Sequence, residues 1–321
     1  MTTPRSGRCV LLVLGEIRTC MLQNSTPLGR LVVAELLKLM PGERVRLSDR
    51  PVAHAVSPTI TTGVDCQLRT ASRSRCRGVG TVAARAVVTG GRVLQGSAYV
   101  RLMPGVADHR LAWSHYLAML GVVQTIGKFN VPDLADGFLT GHEPGDTLDL
   151  GAVSDRIVGT VQRAPQLDHV TALRSRRTRM RWAAVVVESD ADRAGGELVI
   201  VDDIVRTFKL TACAGDLDKV VAFCENLALH DWILTTLLNI VERAEIDWTS
   251  DVVAETRLRP VVGNLLHLWM PGAHVDEAFL PLWHSLERKP GFTRQWEATV
   301  ARIRDQLTLS TIAALTSADR R

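Results

Sequence analysis

The spacing of apolar residues changes once along this chain, near Cys213, and that change limits the fold more than any other feature. Before it, apolar residues form short runs or alternate with polar ones, the period of strands. After it they recur every three or four residues, the period of helices. In the first part, "CVLLVLGEIRTCML", "VRLSDRPVAHAV" and "RMRWAAVVVES" through "IVRTFKLTA" predict strands. "LRTASRSRCRGVGTVAARAVVTGGRVLQGSAYVRLM" predicts a hairpin turning at Gly90-Gly91, since paired glycines suit the left-handed turn that hairpins need. "STPLGRLVVAELLKLM" predicts a helix capped by Thr26, with Pro27 at its first position. Residues 113–170 read as helices and loops. Gly, Pro and Asp are dense in "FNVPDLADGFLTGHEPGD", so 129–150 is expected to be a long loop.

In the second part, residues 216–243 predict one long helix, followed by helices over 251–269, 275–288 and 292–310. Pro271-Gly272 and Pro290-Gly291 separate the last three. Phe292, Trp296, Val300, Ile303 and Leu307 form one stripe and read as core. The expected class is therefore α+β. A mixed part over 1–212, with a mostly antiparallel sheet and a few helices, precedes a C-terminal four-helix part over 213–321. One continuous domain is the alternative.

The chain has 321 residues, 46% of them hydrophobic and 22% charged, which is the balance of a globular protein with a sizeable core. Its net charge of +4 is unevenly spread. Residues 1–214 hold 27 Lys+Arg against 19 Asp+Glu, and residues 215–321 hold 11 against 15. An anionic partner would favour the first part. Only five of the 38 basic residues are lysine, so arginine is the default cation on any surface of this chain. The six cysteines form no C-x-x-C pair and are expected to be reduced thiols of a cytoplasmic protein. Cys9–Leu14 is too short for a signal sequence, and no apolar stretch approaches the length of a membrane span.

Motifs for the common chemistries fail on spacing. In "GVVQTIGKF" five residues rather than four separate Gly121 from Gly127-Lys128, and Phe129 stands where a Mg²⁺-binding hydroxyl is needed. "GVG" at 78–80 is followed by Ala83 where a dinucleotide fold needs glycine. His267 and His274 are split by Pro271-Gly272, which interrupts the helix that would align them as metal ligands. Cys224 and His230 lie about 240° apart on a helix and cannot form a dyad. No metal or cofactor is expected.

Two features carry the functional reading. Asp231 interrupts the apolar stripe Val220, Cys224, Leu227, Leu234, Leu238, Val241. A carboxylate there must find a partner or shift its pKa upward. It marks either a structural ion pair or a buried acid, in a network with His230, His267 and His274. The second feature is "ALRSRRTRMRWAAVVV". In an extended strand Arg177, Arg179 and Arg181 share a face, and Arg69, Arg73, Arg75 and Arg77 do the same in 69–77. On one sheet the seven would form a cationic plate for an acidic protein or for phosphates. The arginine faces lack the interleaved aromatics of nucleic-acid sheets.

The blocks "LGEIRTCMLQNS", "VTGGRVLQ", "LRSRRTRMRWAA", "LALHDWILTTLL", "HLWMPGAH" and "PGFTRQWEATVARIRDQL" resemble an uncharacterised actinobacterial protein family. The resemblance spans about residues 10–310. It brings no activity, cofactor or catalytic residue with it. Members of that family are encoded beside an atypical P-loop protein, which implies service in a multi-protein system. The expected function is an accessory or scaffold protein that binds a protein partner, with a P-loop NTPase-like protein as the candidate. Nucleic-acid binding through the arginine face is the first alternative. An enzyme built around Asp231 and His230 is the second.

Overall fold

A computed structural model describes residues 9–141, 145–187, 195–246 and 263–318. The protein is α+β, with one mixed ten-stranded sheet and seven helices among the described residues. The strands are β1 Leu12–Met21, β2 Arg46–Ser48, β3 His54–Val56, β4 Ile60–Leu68, β5 Cys76–Thr89, β6 Val93–Pro104, β7 Val122–Ile126, β8 Thr178–Val187, β9 Gly196–Ile200 and β10 Val205–Cys213. Across the sheet they run β2-β3-β5-β7-β6-β1-β8-β10-β9. The long β5 carries β4 beside β3 on one edge, and meets β6 as well as β7 on the other. Pairing is antiparallel except for β6–β7 and β8–β10.

Helices α1 Arg30–Leu36, α2 Trp113–Leu117, α3 Val131–Thr140 and α4 Leu150–Gln162 belong to the first part, and α5 Leu217–Ile246, α6 Leu280–Arg288 and α7 Phe292–Ala318 to the second. Alternation along each strand sorts the side chains into two layers. Leu12, Leu14, Ala183 and Val100 face α1, α3 and α4. Val13, Ile17, Trp182 and Phe208 face α5, together with residues from α6 and α7. Residues on both sides of the 212/213 boundary thus pack into a single cluster. From Phe223 to Leu234 every residue of α5 is buried. A helix that is covered on all sides needs apolar residues all round.

Four local expectations are corrected. Residues 129–150 are not one long loop, because α3 occupies their first half. There Pro132 lies in the first turn, where a missing N–H costs nothing, and Leu134 and Ala135 are buried. Residues 122–126 form β7, whose Val123 enters the core. The first helix starts at Arg30 rather than Pro27, because the Leu28 N–H is spent on the Gly91 carbonyl. Finally, residues 69–75 are the connection between β4 and β5 rather than a strand, and Arg73 sits at φ 60°. The Gly90-Gly91 turn is as expected, with φ of 60° and 63°. The expected helix over 251–269 lies mostly outside the described residues. Its end, Leu266–Leu268, is a single 3₁₀ turn.

Layer spacing depends on glycine at one point in particular. A Cβ on Gly96 of β6 would lie 2.4 Å from the Ser154 carbonyl oxygen of α4. Backbone cannot yield there as a flexible side chain would. Gly96→Ala is therefore expected to destabilise the fold by about 1–3 kcal/mol, the usual cost of overpacking. Urea unfolding monitored by tryptophan fluorescence measures it. An unchanged midpoint would mean that α4 does not sit this close.

Candidate functional site

The five arginines of "RSRRTRMR" separate in two directions. Those at 177, 179 and 181 turn toward α3 and α4, while Arg174 and Arg176 turn toward the end of α5. Glu16 of β1 waits for the first group. Register places Glu16 opposite Arg181, and Arg18 opposite Arg179. Glu16 is fully buried and receives Arg18 at 3.0 Å, Arg179 at 2.8 Å and Arg181 at 3.1 Å. Arg181 also donates to the Gly141 carbonyl and lies over the Phe138 ring. Burial pushes the Glu16 carboxyl up, opposed by the Arg18 and Arg179 guanidiniums. Arg177 reaches Asp155 of α4 at 2.8 Å.

The expected plate of seven arginines therefore does not assemble. Arg179 and Arg181 are spent on an internal carboxylate, beneath α3 and α4. In the other set only Arg77 lies on a strand, and it grips Asp65 through two hydrogen bonds of 2.7 and 2.9 Å. Arg69, Arg73 and Arg75 are exposed on the β4–β5 connection. Arg69 borders a small crevice together with Arg181, Leu14 and Phe138, so the two sets meet there.

Asp231 is paired. It accepts from Arg206 Nε at 3.0 Å, and both residues are buried. The same guanidinium donates to the Asp202 carbonyl and, at 2.9 Å, to Thr235 Oγ1. Burial pushes the Asp231 carboxyl up, and Arg206 opposes it. His230, the residue before it, points away from this pair. Its Nδ1 donates to the Asn226 carbonyl at 2.8 Å, and its ring meets Trp269 and Trp283 edge to face. Trp232 donates instead to the Arg176 carbonyl. His267 and His274 are exposed, and His274 stacks on His54 at 5.4 Å. Asp231 thus stands apart from His230, because successive residues of a helix diverge by about 100°, and no hydrogen bond joins His267 or His274 to either among the described residues. No cluster of three or more metal-ligating side chains occurs among the described residues.

Sequence reasoning missed Arg85 and Glu225. They form a second buried pair, between β5 and α5, with bonds of 2.8 and 2.6 Å. The signal was present: Arg85 is the one charge between Val79 and Val88, and Arg206 is likewise flanked by residues of an apolar strand.

Two open features share one end of the sheet. The first is the edge strand β9 and its turn into β10. Val199, Ile200, Val201 and Ile204 are 43%, 56%, 59% and 41% exposed, and no strand pairs with the far side of β9 among the described residues. The second is a cleft of about 100 Å³ between residues 174–176 and the last turns of α5. Asp203, in the β9–β10 turn, reaches Arg176 at 3.1 Å and so joins the two. No known protein family, no curated protein and no solved structure matches the chain. No helix among the described residues is long and apolar enough to cross a membrane.

Two histidines, buried His230 and half-buried His54, set a pH dependence. Burial lowers His230 and His54 from 6.5 to about 4. Both are neutral in the folded chain, whereas the unfolded chain takes up a proton on each below pH 6.5. Their contribution is flat above that value, falls as pH drops toward 4, and then levels. One such shift is worth about 3 kcal/mol. Urea unfolding between about pH 7 and about pH 4.5 should show the decline, and His230→Phe should remove its share. An equal slope in the variant would contradict this.

Proposed function

We propose that this chain is a binding protein that docks a protein partner along the β9 edge, and that it serves as an accessory or scaffold component of a multi-protein system. The observation that carries this reading is the exposed apolar edge. A sheet edge presents unpaired N–H and C=O groups, and proteins normally blunt it with charge, proline or a covering element. Here the edge ends in four solvent-facing aliphatic residues, and the charges of the turn, Asp202 and Asp203, are bonded locally or to Arg176. An extended segment with alternating apolar side chains would extend the sheet by one strand, with backbone bonds for affinity and Val199 and Val201 for side-chain contact.

The other readings lose their residues. A nucleic-acid face would need Arg177, Arg179 and Arg181 outward, and these meet Asp155 and Glu16. An enzyme around Asp231 would need that carboxylate open to substrate, and it is closed against Arg206. The partner best motivated by the family resemblance is the P-loop NTPase-like protein encoded beside such chains, in the cytoplasm.

Ile200→Glu/Val201→Glu tests this. Both positions are exposed, so stability should change by no more than about 0.5 kcal/mol. Affinity-tagged wild type is expected to retain the neighbouring P-loop protein under gentle lysis of host cells, and the double variant to lose it. A wild-type chain that purifies alone, or a variant that retains the partner, would contradict the reading.

A further inference from the structure

We propose that the cleft beside the carboxyl end of α5 is a phosphate site, built for a free orthophosphate or for the phosphate group of a monoester. One wall carries Arg174, Ser175 and Arg176, from the segment that enters β8. The other carries Thr236, Asn239 and Arg243 of α5. The guanidiniums of Arg174 and Arg176 and the hydroxyls of Ser175, Thr235 and Thr236 thus border one space, and no carboxylate is among the described residues that line it. Guanidinium forks and hydroxyl donors are the groups that recognise tetrahedral oxyanions. Size fits as well. A cavity of roughly 150 Å³ accommodates a benzene ring, and the cleft, at about 100 Å³, suits an ion of five heavy atoms.

Two threonines distinguish this cleft from an ordinary basic surface. Thr236 is 4% exposed and lines the cleft, yet its hydroxyl makes no hydrogen bond among the described residues. That hydroxyl can therefore donate to an oxyanion bound in the cleft. Thr235, also on the lining, accepts from Arg206 at 2.9 Å. That bond occupies a lone pair and leaves the Thr235 proton to be donated elsewhere. The Arg206–Asp231 pair therefore positions a donor at the site without touching the ligand. Asp203 holds Arg176 at 3.1 Å, but both side chains are at least half exposed, so this pair is weak and an incoming dianion can compete with it.

The test uses the full chain in low-salt buffer, titrated calorimetrically with inorganic phosphate, with O-phospho-L-serine, and with chloride at matched ionic strength. Wild type is expected to bind both phosphates and not chloride. If phosphoserine binds the tighter, the source is a phosphorylated partner; if inorganic phosphate does, it is the free ion. Arg174→Ala should weaken binding about tenfold or more, as loss of a charge-assisted bond does. Arg174 is exposed and makes no ion pair among the described residues, so its unfolding midpoint in the absence of phosphate should match wild type. Thr236→Val should weaken binding in the same direction, with helix content unchanged. Equal heats with chloride, or undiminished phosphate affinity in Arg174→Ala, would overturn the proposal. The site shares no residue with the β9 edge, so loss of phosphate binding and loss of partner capture are separable results.

Discussion

Helix α5 is held on its sheet by two buried guanidinium–carboxylate pairs, and the rest of the architecture follows from that clamp. Glu225 meets Arg85 of β5, and Asp231 meets Arg206 of β10. Six residues separate the two acids, about 240° of helical rotation, so they leave the helix on opposite flanks. β5 and β10 likewise lie on opposite sides of β6, β1 and β8. The helix therefore lies across the centre of the sheet with one rotation and one axial position that satisfy both pairs. Apolar packing alone would define this less sharply, because from Phe223 to Leu234 α5 is buried on every side. Gln95 adds a bond to the Glu225 carbonyl at 2.9 Å.

With α5 fixed, its outer surface is the platform for α6 and α7. His230 is enclosed there by Trp269 and Trp283, and Trp269 stacks on Trp296 of α7 at 4.4 Å. On the opposite face of the sheet Glu16 plays the corresponding part, gathering Arg18, Arg179 and Arg181 beneath α3 and α4. Buried ion pairs are poor evidence for net stability, since desolvation offsets most of their attraction. Their effect is on selection among arrangements: any other register would leave a charge buried and alone. They also decide what is left for function. With Arg85 of β5, Arg179 and Arg181 of β8 and Arg206 of β10 turned inward, two features left open are the aliphatic β9 edge and the cleft that Arg174 and Arg176 border.

The class of fold was legible because periodicity reports burial directly. The change near Cys213, the Gly90-Gly91 turn and the long helix from 216 all appear where the pattern places them. Asp231 was legible too, as a missing beat in a stripe. The direction of the arginines was not. Alternation says that Arg179 and Arg181 share a face, but not which face is wet. That depends on Glu16, some 160 residues away in sequence and opposite only through the β1–β8 register. Residues 69–77 misled for a related reason: alternating arginines mimic a strand, and of these arginines only Arg77 has ladder partners, Gln67 and Ile126. The cleft was illegible because its walls come from separate segments, and Thr236 reads as one more helical residue.

The most direct test of the clamp is a double-mutant cycle on Arg85 and Glu225, with Arg85→Met, Glu225→Leu and the double variant unfolded in urea. Each single change strands a buried charge and is expected to cost about 3–5 kcal/mol, while the double variant removes both charges and should recover most of that loss. Strictly additive losses in the double variant would show that the two side chains act independently, and the account of how α5 is held would be wrong.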